Sequence, residues 1–333
     1  MSIQIVVNQM ASLFILIGVG YFCGKIQMLS KDGVMTLTKV VLNISTPSII
    51  LSSVLGDTGS ITGSRTVYFL LLSLLAYVLF FLIGIPASRL LSRGQGSGVR
   101  GQETKDRVQE TGVDGDGLAR SVGANRGLYC SMIVFGNTGF MGIPMAVAIF
   151  GVDAMFYIAI FNIVFQMLVY SVGIVLISGQ GKSINFKTAL NAAFIASVVT
   201  MIIAFTGLRI PVIVADTIRL ASGINTPCAM IAIGATLSRI PVKDVFVNWR
   251  LYPIAFLRII AAPVITWLVF KQFVTDDLLL GIVVMMSAMP TAVAVPMISI
   301  KYGGDEKVAS SGLFLSTLLS AVTVPIILYA FLL

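Results

Sequence analysis

The chain has 333 residues, 57% of them hydrophobic and 11% charged, with a mean hydropathy of +0.99 and a formal net charge of +8. Soluble domains carry roughly half apolar and a quarter charged residues, so this balance excludes a soluble globular protein and points to an integral membrane protein. Histidine is absent, and the three cysteines, Cys23, Cys130 and Cys228, fall in separate apolar segments; no metal site, disulfide framework or cofactor is expected from such a set.

Ten apolar stretches approach the ~20 residues that a spanning helix needs. They cover residues 3–23, 33–54, 67–91, 128–150, 154–177, 188–207, 211–237, 251–272, 279–300 and 308–333. The first has no basic residue before Lys25 and is too long for the core of a cleavable signal peptide. Residues 93–127 between the third and fourth stretches are polar and glycine-rich, and they predict a flexible loop outside the bilayer. The fold class expected is all-α, with ten transmembrane helices.

Basic residues orient the chain. Odd-numbered loops carry fifteen lysines and arginines, including Lys25, Lys31, Arg239, Lys301 and Lys307, whereas even-numbered loops carry only Arg65, Arg209 and Lys271. Lys and Arg collect on the cytoplasmic side. Both termini are therefore expected outside a cell membrane, and the positive charge is a topology signal rather than a sign of nucleic-acid binding.

The second stretch reads STPSII around Pro47 and the seventh reads NTPCAM around Asn225 and Pro227, an offset of 180 residues. Counting back eight places from each proline reaches Lys39 and Arg219, and four places back from Pro47 stands Asn43. The fourth stretch ends GIPMAVAIFG around Pro144 and the ninth ends AVPMISIKYG around Pro296, an offset of 152. The smaller offset reflects the long loop at 93–127. Two five-helix halves, 1–177 and 178–333, are expected, the second inverted because five is odd.

Residues 135–145, FGNTGFMGIPM, crowd three glycines, an asparagine, a threonine and a proline into the middle of the fourth stretch. Proline and glycine both weaken a helix there. Interrupted backbone at membrane depth is tolerated only where it is buried or lines a cavity, and paired interruptions in inverted halves point to the binding site of a secondary transporter.

The same residues carry a resemblance. NTGFMGIP, LNISTPSIILSSV, and MPTAVAVP followed by KYG resemble the auxin efflux carrier family, which includes the plant PIN-formed auxin carriers and bacterial permeases associated with malate and malonate. The likeness runs from LIGVGYFCGKIQMLS in the first stretch to STLLSAVTVPIIL in the last. It implies two inverted five-helix repeats in which helices four and nine cross as broken helices. Helices 1, 2, 6 and 7 would form a scaffold, helices 3–5 and 8–10 a transport unit, and two copies a homodimer in membrane lipid. It further implies that Asn137 contacts a substrate carboxylate, that Thr138, Gly139 and Gly142 line the break, that Pro144 holds it open, and that Gln166 faces the same pocket. Thr291 with Pro290 and Pro296 would stand at the ninth-helix side. Unlike the plant carriers, this chain has only residues 178–187 between helices five and six, and its ninth-helix prolines are one residue further apart.

Intramembrane charge separates mechanisms. Lys39, Arg219 and Arg258 lie inside apolar stretches, and Asp216 is the only acidic residue inside one. Asp216 and Arg219 are three apart and are expected to pair on one helix face. Lys39 and Arg258 have no evident acidic partner, which leaves attraction of an anion or snorkelling to the cytoplasmic interface, and snorkelling is the reading favoured for each. No carboxylate falls near a crossover, which argues against a sodium-coupled, bile-acid-type symporter. The expected function is a secondary carrier for a small organic acid; a channel is the alternative from another class, and an enzyme is disfavoured because no catalytic cluster is evident.

Overall fold

A computed structural model describes residues 3–55, 63–92, 115–151, 154–178, 192–208, 210–240, 242–302 and 304–332. The described residues are helical apart from short connections and one extended pairing. In chain order the helices are α1 (Ile3–Lys25), α2 (Lys31–Ser52), α3 (Gly63–Ser92), α4 (Gly115–Val134), α5 (Thr138–Phe150), α6 (Met155–Ser178) and α7 (Ala192–Thr206). There follow α8 (Val212–Leu237), the short α9 (Val242–Val247), α10 (Leu251–Phe270), α11 (Asp277–Ala288), α12 (Ala294–Tyr302) and α13 (Glu306–Leu332).

Seven of these, α1, α2, α3, α6, α8, α10 and α13, are long and apolar enough to cross a membrane, while α5, α7 and α11 are shorter apolar helices. Two of the expected spans are each split in two: residues 128–150 become α4 and α5, and residues 279–300 become α11 and α12. The expected loop at 93–127 needs correction, because α4 already begins at Gly115. Polarity marks where a helix leaves an apolar environment, not where its hydrogen bonding ends, and that is why the apolar count began this helix late. The remainder of that loop, 93–114, lies outside the described residues.

Prolines shape the helices in a recurring way. Of four wide turns of the π type among the described residues, those at 41–45, 138–142 and 257–261 each end two residues before a proline, Pro47, Pro144 and Pro263 respectively, while the fourth, at 169–173, has no proline after it. Proline lacks the N–H that would bond the carbonyl four residues back and crowds that carbonyl; a widened turn relieves the crowding, and such turns gather at functional positions.

Packing separates two groups of helices. In the first, α1 lies against the second half of α8, and the second half of α2 lies on α7 and on the first half of α8. Glycine makes the closest approach possible: a Cβ on Gly20 would stand 2.2 Å from the Ile231 carbonyl oxygen, and one on Gly234 would stand 2.0 Å from that of Ile17. Small residues at such crossings are the usual means of membrane helix association. In the second group, α3, α4, α6, α10, α11 and α13 surround a core in which every residue of Met155–Phe165 and Leu279–Ala288 is buried. Helices that are apolar and buried on every side are the centre of such a body.

Candidate functional site

The two interruptions meet. Gly136 and Thr291 pair as a single antiparallel bridge. The Asn137 N–H donates to the Pro290 carbonyl at 2.7 Å, and the Ala292 N–H donates to the Phe135 carbonyl at 2.8 Å. Each extended segment thus satisfies backbone groups that the other lost by leaving its helix, as burial requires. The crossing leaves four helix ends around it. Two are carbonyl ends, at the C-termini of α4 and α11, and two are amide ends, at the N-termini of α5 and α12.

The carbonyl ends are sealed by one cation. Arg258, in the wide turn of α10, is 1% exposed. Its Nη1 donates to the Ile133 and Val134 carbonyls, both at 3.1 Å, its Nη2 to the Met286 carbonyl at 3.2 Å, and its Nε to the Met289 carbonyl at 2.8 Å. The Phe80 ring covers the guanidinium, with 5.2 Å from Cζ to the centroid. The expectation that Arg258 snorkels to an interface is therefore wrong. The last carbonyls of a helix have no intrahelical partner and carry partial negative charge, and a planar guanidinium with five donors can serve several of them at once. Gly136 makes room for it, since a Cβ there would lie 1.9 Å from Nη2. Thr291 completes the seal by donating its hydroxyl to the Met132 carbonyl at 3.1 Å, while its N–H is held by Ser316.

The amide side is built differently. Asn137 precedes the first turn of α5, and its backbone carbonyl accepts from the Met141 and Gly142 N–H groups, but its side chain makes no capping bond. Asn137 is 3% exposed, and its amide nitrogen Nδ2 has no hydrogen-bond partner. A buried donor left in that state is costly unless something else satisfies it. It lines a cavity of about 40 Å³ together with Gly139, Phe140, Gln166, Ala292, Val293 and, across from them, Thr46 of α2. Glycine at 139 is not forced by packing, for the nearest atom to a Cβ would be the Asn162 Oδ1 at 3.9 Å; its smallness keeps the cavity open.

The remaining sequence candidates divide. Thr138 is buried and donates to Asn162 Oδ1 at 3.0 Å, and the Asn162 amide in turn donates to the Ile158 carbonyl, so this pair braces α5 against α6. Gly142 packs against α11, where a Cβ would sit 2.8 Å from Met286 Sδ. Pro144 is buried in α5 just after its wide turn, and Pro290 lies in the crossing segment. Pro296 is buried at the start of α12 on the wall of a second cavity. Asn225 is fully buried at the break within α8, and its Oδ1 accepts from Ser45 and Thr46, both at 3.0 Å. Asn43 is exposed and donates back to the Lys39 carbonyl, Lys39 is exposed, and Pro227 is exposed. Pro47 is half-buried behind the wide turn of α2. Arg219 pairs with Asp216 at 3.1 Å as expected, both side chains being more than half exposed.

The second cavity, of about 460 Å³, opens between α2, α8, α12 and α13 and shares Val293 with the first. Lys31, Arg239 and Lys307 stand on its wall beside Glu306, above Val34, Pro296 and Met297. Among the described residues no group of His, Cys, Asp and Glu could hold a metal ion.

Comparison with known proteins gives the family. A family model described as a membrane transport protein matches residues 120–188 and 182–328. An uncharacterized transporter of Methanocaldococcus jannaschii is 23% identical over 320 residues, covering 94% of both chains. Another, from Methanothermobacter thermautotrophicus, is 24% identical over 320 residues, covering 95% of both. A match over most of the chain, on the segments that build the crossed interruptions, means that the chain belongs to the membrane transport protein family, the auxin-efflux-like family its motifs resemble.

Proposed function

We propose that this transporter is a secondary carrier for a small organic anion, which it binds at the amide side of the crossover. One observation carries the reading: the buried Asn137 amide, without a partner and at the N-terminal end of a half-helix, faces a cavity. A carboxylate oxygen accepts from such a donor, and the partial positive charge of a helix N-terminus favours an anion. Side chains on the cavity wall are uncharged, so the field comes from backbone and amide dipoles. Gln166 adds a second amide.

Access alternates in this reading. The cavity of about 40 Å³ is far below the roughly 300–1,000 Å³ of ordinary small-molecule sites, whereas the adjoining vestibule of about 460 Å³ is large enough. Substrate entry then requires α5 and α12 to part from α2 and α7. The first packing group serves as the scaffold and the second as the moving unit, in ten spans arranged as two inverted repeats. The Ser45–Asn225 hydrogen bond supports that symmetry, because it links residues 180 apart, the repeat offset read from Pro47 and Pro227. Lys31, Arg239 and Lys307 come from three odd-numbered loops and meet at one mouth, which supports a cytoplasmic vestibule that gathers anions, with both termini outside. Assembly as a homodimer belongs to the same proposal.

Proteoliposomes containing the purified protein test it. Uptake of labelled malonate or another small carboxylate should saturate, show counterflow and proceed without sodium, and Asn137→Ala should abolish it while the protein stays folded. Equal uptake by parent and Asn137→Ala would remove the assigned site; non-saturating flux without counterflow would make the protein a channel.

A further inference from the structure

We propose that Arg258 is a resident cation of the crossover: covalently tethered, it holds the carbonyl ends of both half-helices in the way a bound coupling cation would, and so leaves the amide ends to recruit an anion without one. This rests on the anion-carrier reading above.

Three features of the geometry carry the proposal. The guanidinium takes its carbonyls from both broken helices, Ile133 and Val134 from α4 and Met286 and Met289 from the end of α11. That set of converging backbone oxygens at helix C-termini is the chemistry that elsewhere in transporters coordinates a sodium ion, and here every donor of the set is a protein group. Next, among the described residues the charge is not paired with a carboxylate. Tyr77 and Phe80 of α3 and the walls of α4, α10 and α11 surround it, and its acceptors are peptide oxygens alone. Lastly, the fit is specific, since a Cβ at Gly136 would stand 1.9 Å from Nη2 and the carbonyl of Met132, next to Ile133, is taken by the Thr291 hydroxyl instead.

Charge balance then gives the consequence. Two half-helix C-termini together amount to roughly one negative elementary charge, which one guanidinium offsets. With that side neutral, the partial positive charge of the α5 and α12 N-termini is not cancelled across the short crossing, and the substrate anion is what completes it. The four carbonyls that Arg258 holds are then closed to a coupling cation. Arg258 acts as a positioning residue: it does not line the substrate cavity.

The test uses full-length protein in detergent, with unfolding temperature read at constant ionic strength in sodium, potassium, N-methylglucamine or methylguanidinium chloride, each with and without malonate. The parent should respond to malonate equally in every cation. Arg258→Ala should unfold at lower temperature and lose the malonate response in N-methylglucamine, and methylguanidinium or sodium should restore the malonate response and about 2–4 °C of the lost stability. Arg258→Lys keeps the charge but not the fork, and it should sit between the two while remaining insensitive to sodium. A merely structural arginine would lower stability without creating any cation response, so an Arg258→Ala variant that is folded, cation-indifferent and still malonate-responsive overturns the proposal. Variants of both kinds that aggregate in every cation also overturn it, because then no free cation substitutes. A parent that responds to no carboxylate tested counts against the anion reading instead, and the cation response of Arg258→Ala still reports on the arginine.

Discussion

The two sides of the crossover are made from the same backbone interruption and end in opposite states. On the carbonyl side five freed groups have partners within the protein: Arg258 takes the Ile133, Val134, Met286 and Met289 oxygens, and Thr291 takes that of Met132. On the amide side a buried donor, Asn137 Nδ2, is left with none, beside a small cavity. A fold that only tolerated two broken helices would satisfy both sides. Under the proposed function, one side maintains the structure while the other is kept available to substrate.

Substitutions should reproduce that asymmetry. The largest effect on stability is expected at the sealed side. Arg258→Met strands several buried carbonyls at a cost of ~1–3 kcal/mol each, and thermal unfolding in detergent should fall by many degrees; an unchanged unfolding temperature would break the comparison at its strongest point. Gly136→Ala forces the guanidinium aside without removing it, and about 1–3 kcal/mol of destabilisation is expected from such overpacking, read the same way. Thr138→Val removes a single bond to Asn162 Oδ1 and should cost about 1 kcal/mol. At the open side the signs change. Asn137→Ala removes a donor that the fold does not use, so unfolding should stay within about 0.5 kcal/mol of the parent while carboxylate binding is lost by at least tenfold, about 1.4 kcal/mol. Gly139→Ala sharpens the same point, for its Cβ meets nothing closer than 3.9 Å: folding is expected to be unaffected, and the filled cavity should weaken uptake in proteoliposomes.

Much of this molecule was legible before its tertiary structure. The apolar stretches, the interruption at residues 135–145 and the pairing of two prolines across an offset of 180 are local facts of composition and spacing. The helices follow them because a membrane leaves the backbone no partner but itself. The Asp216–Arg219 pair was legible too, being a contact within one helix turn. The start of α4 at Gly115 was not, because polar residues are compatible with a helix outside an apolar layer.

What the sequence determined by itself was the medium, the places where helices cannot continue and the family to which such a chain belongs. Which carbonyls and amides are consumed was decided only in three dimensions. Arg258 reads as an unpartnered charge because its acceptors are peptide oxygens, 28–31 residues away on one side and 124–125 on the other. A peptide oxygen has no letter in the sequence. Thr291 and Asn137 look alike as small polar residues at a helix break, and only the crossing gives one hydroxyl an internal acceptor and leaves the other's amide facing a void.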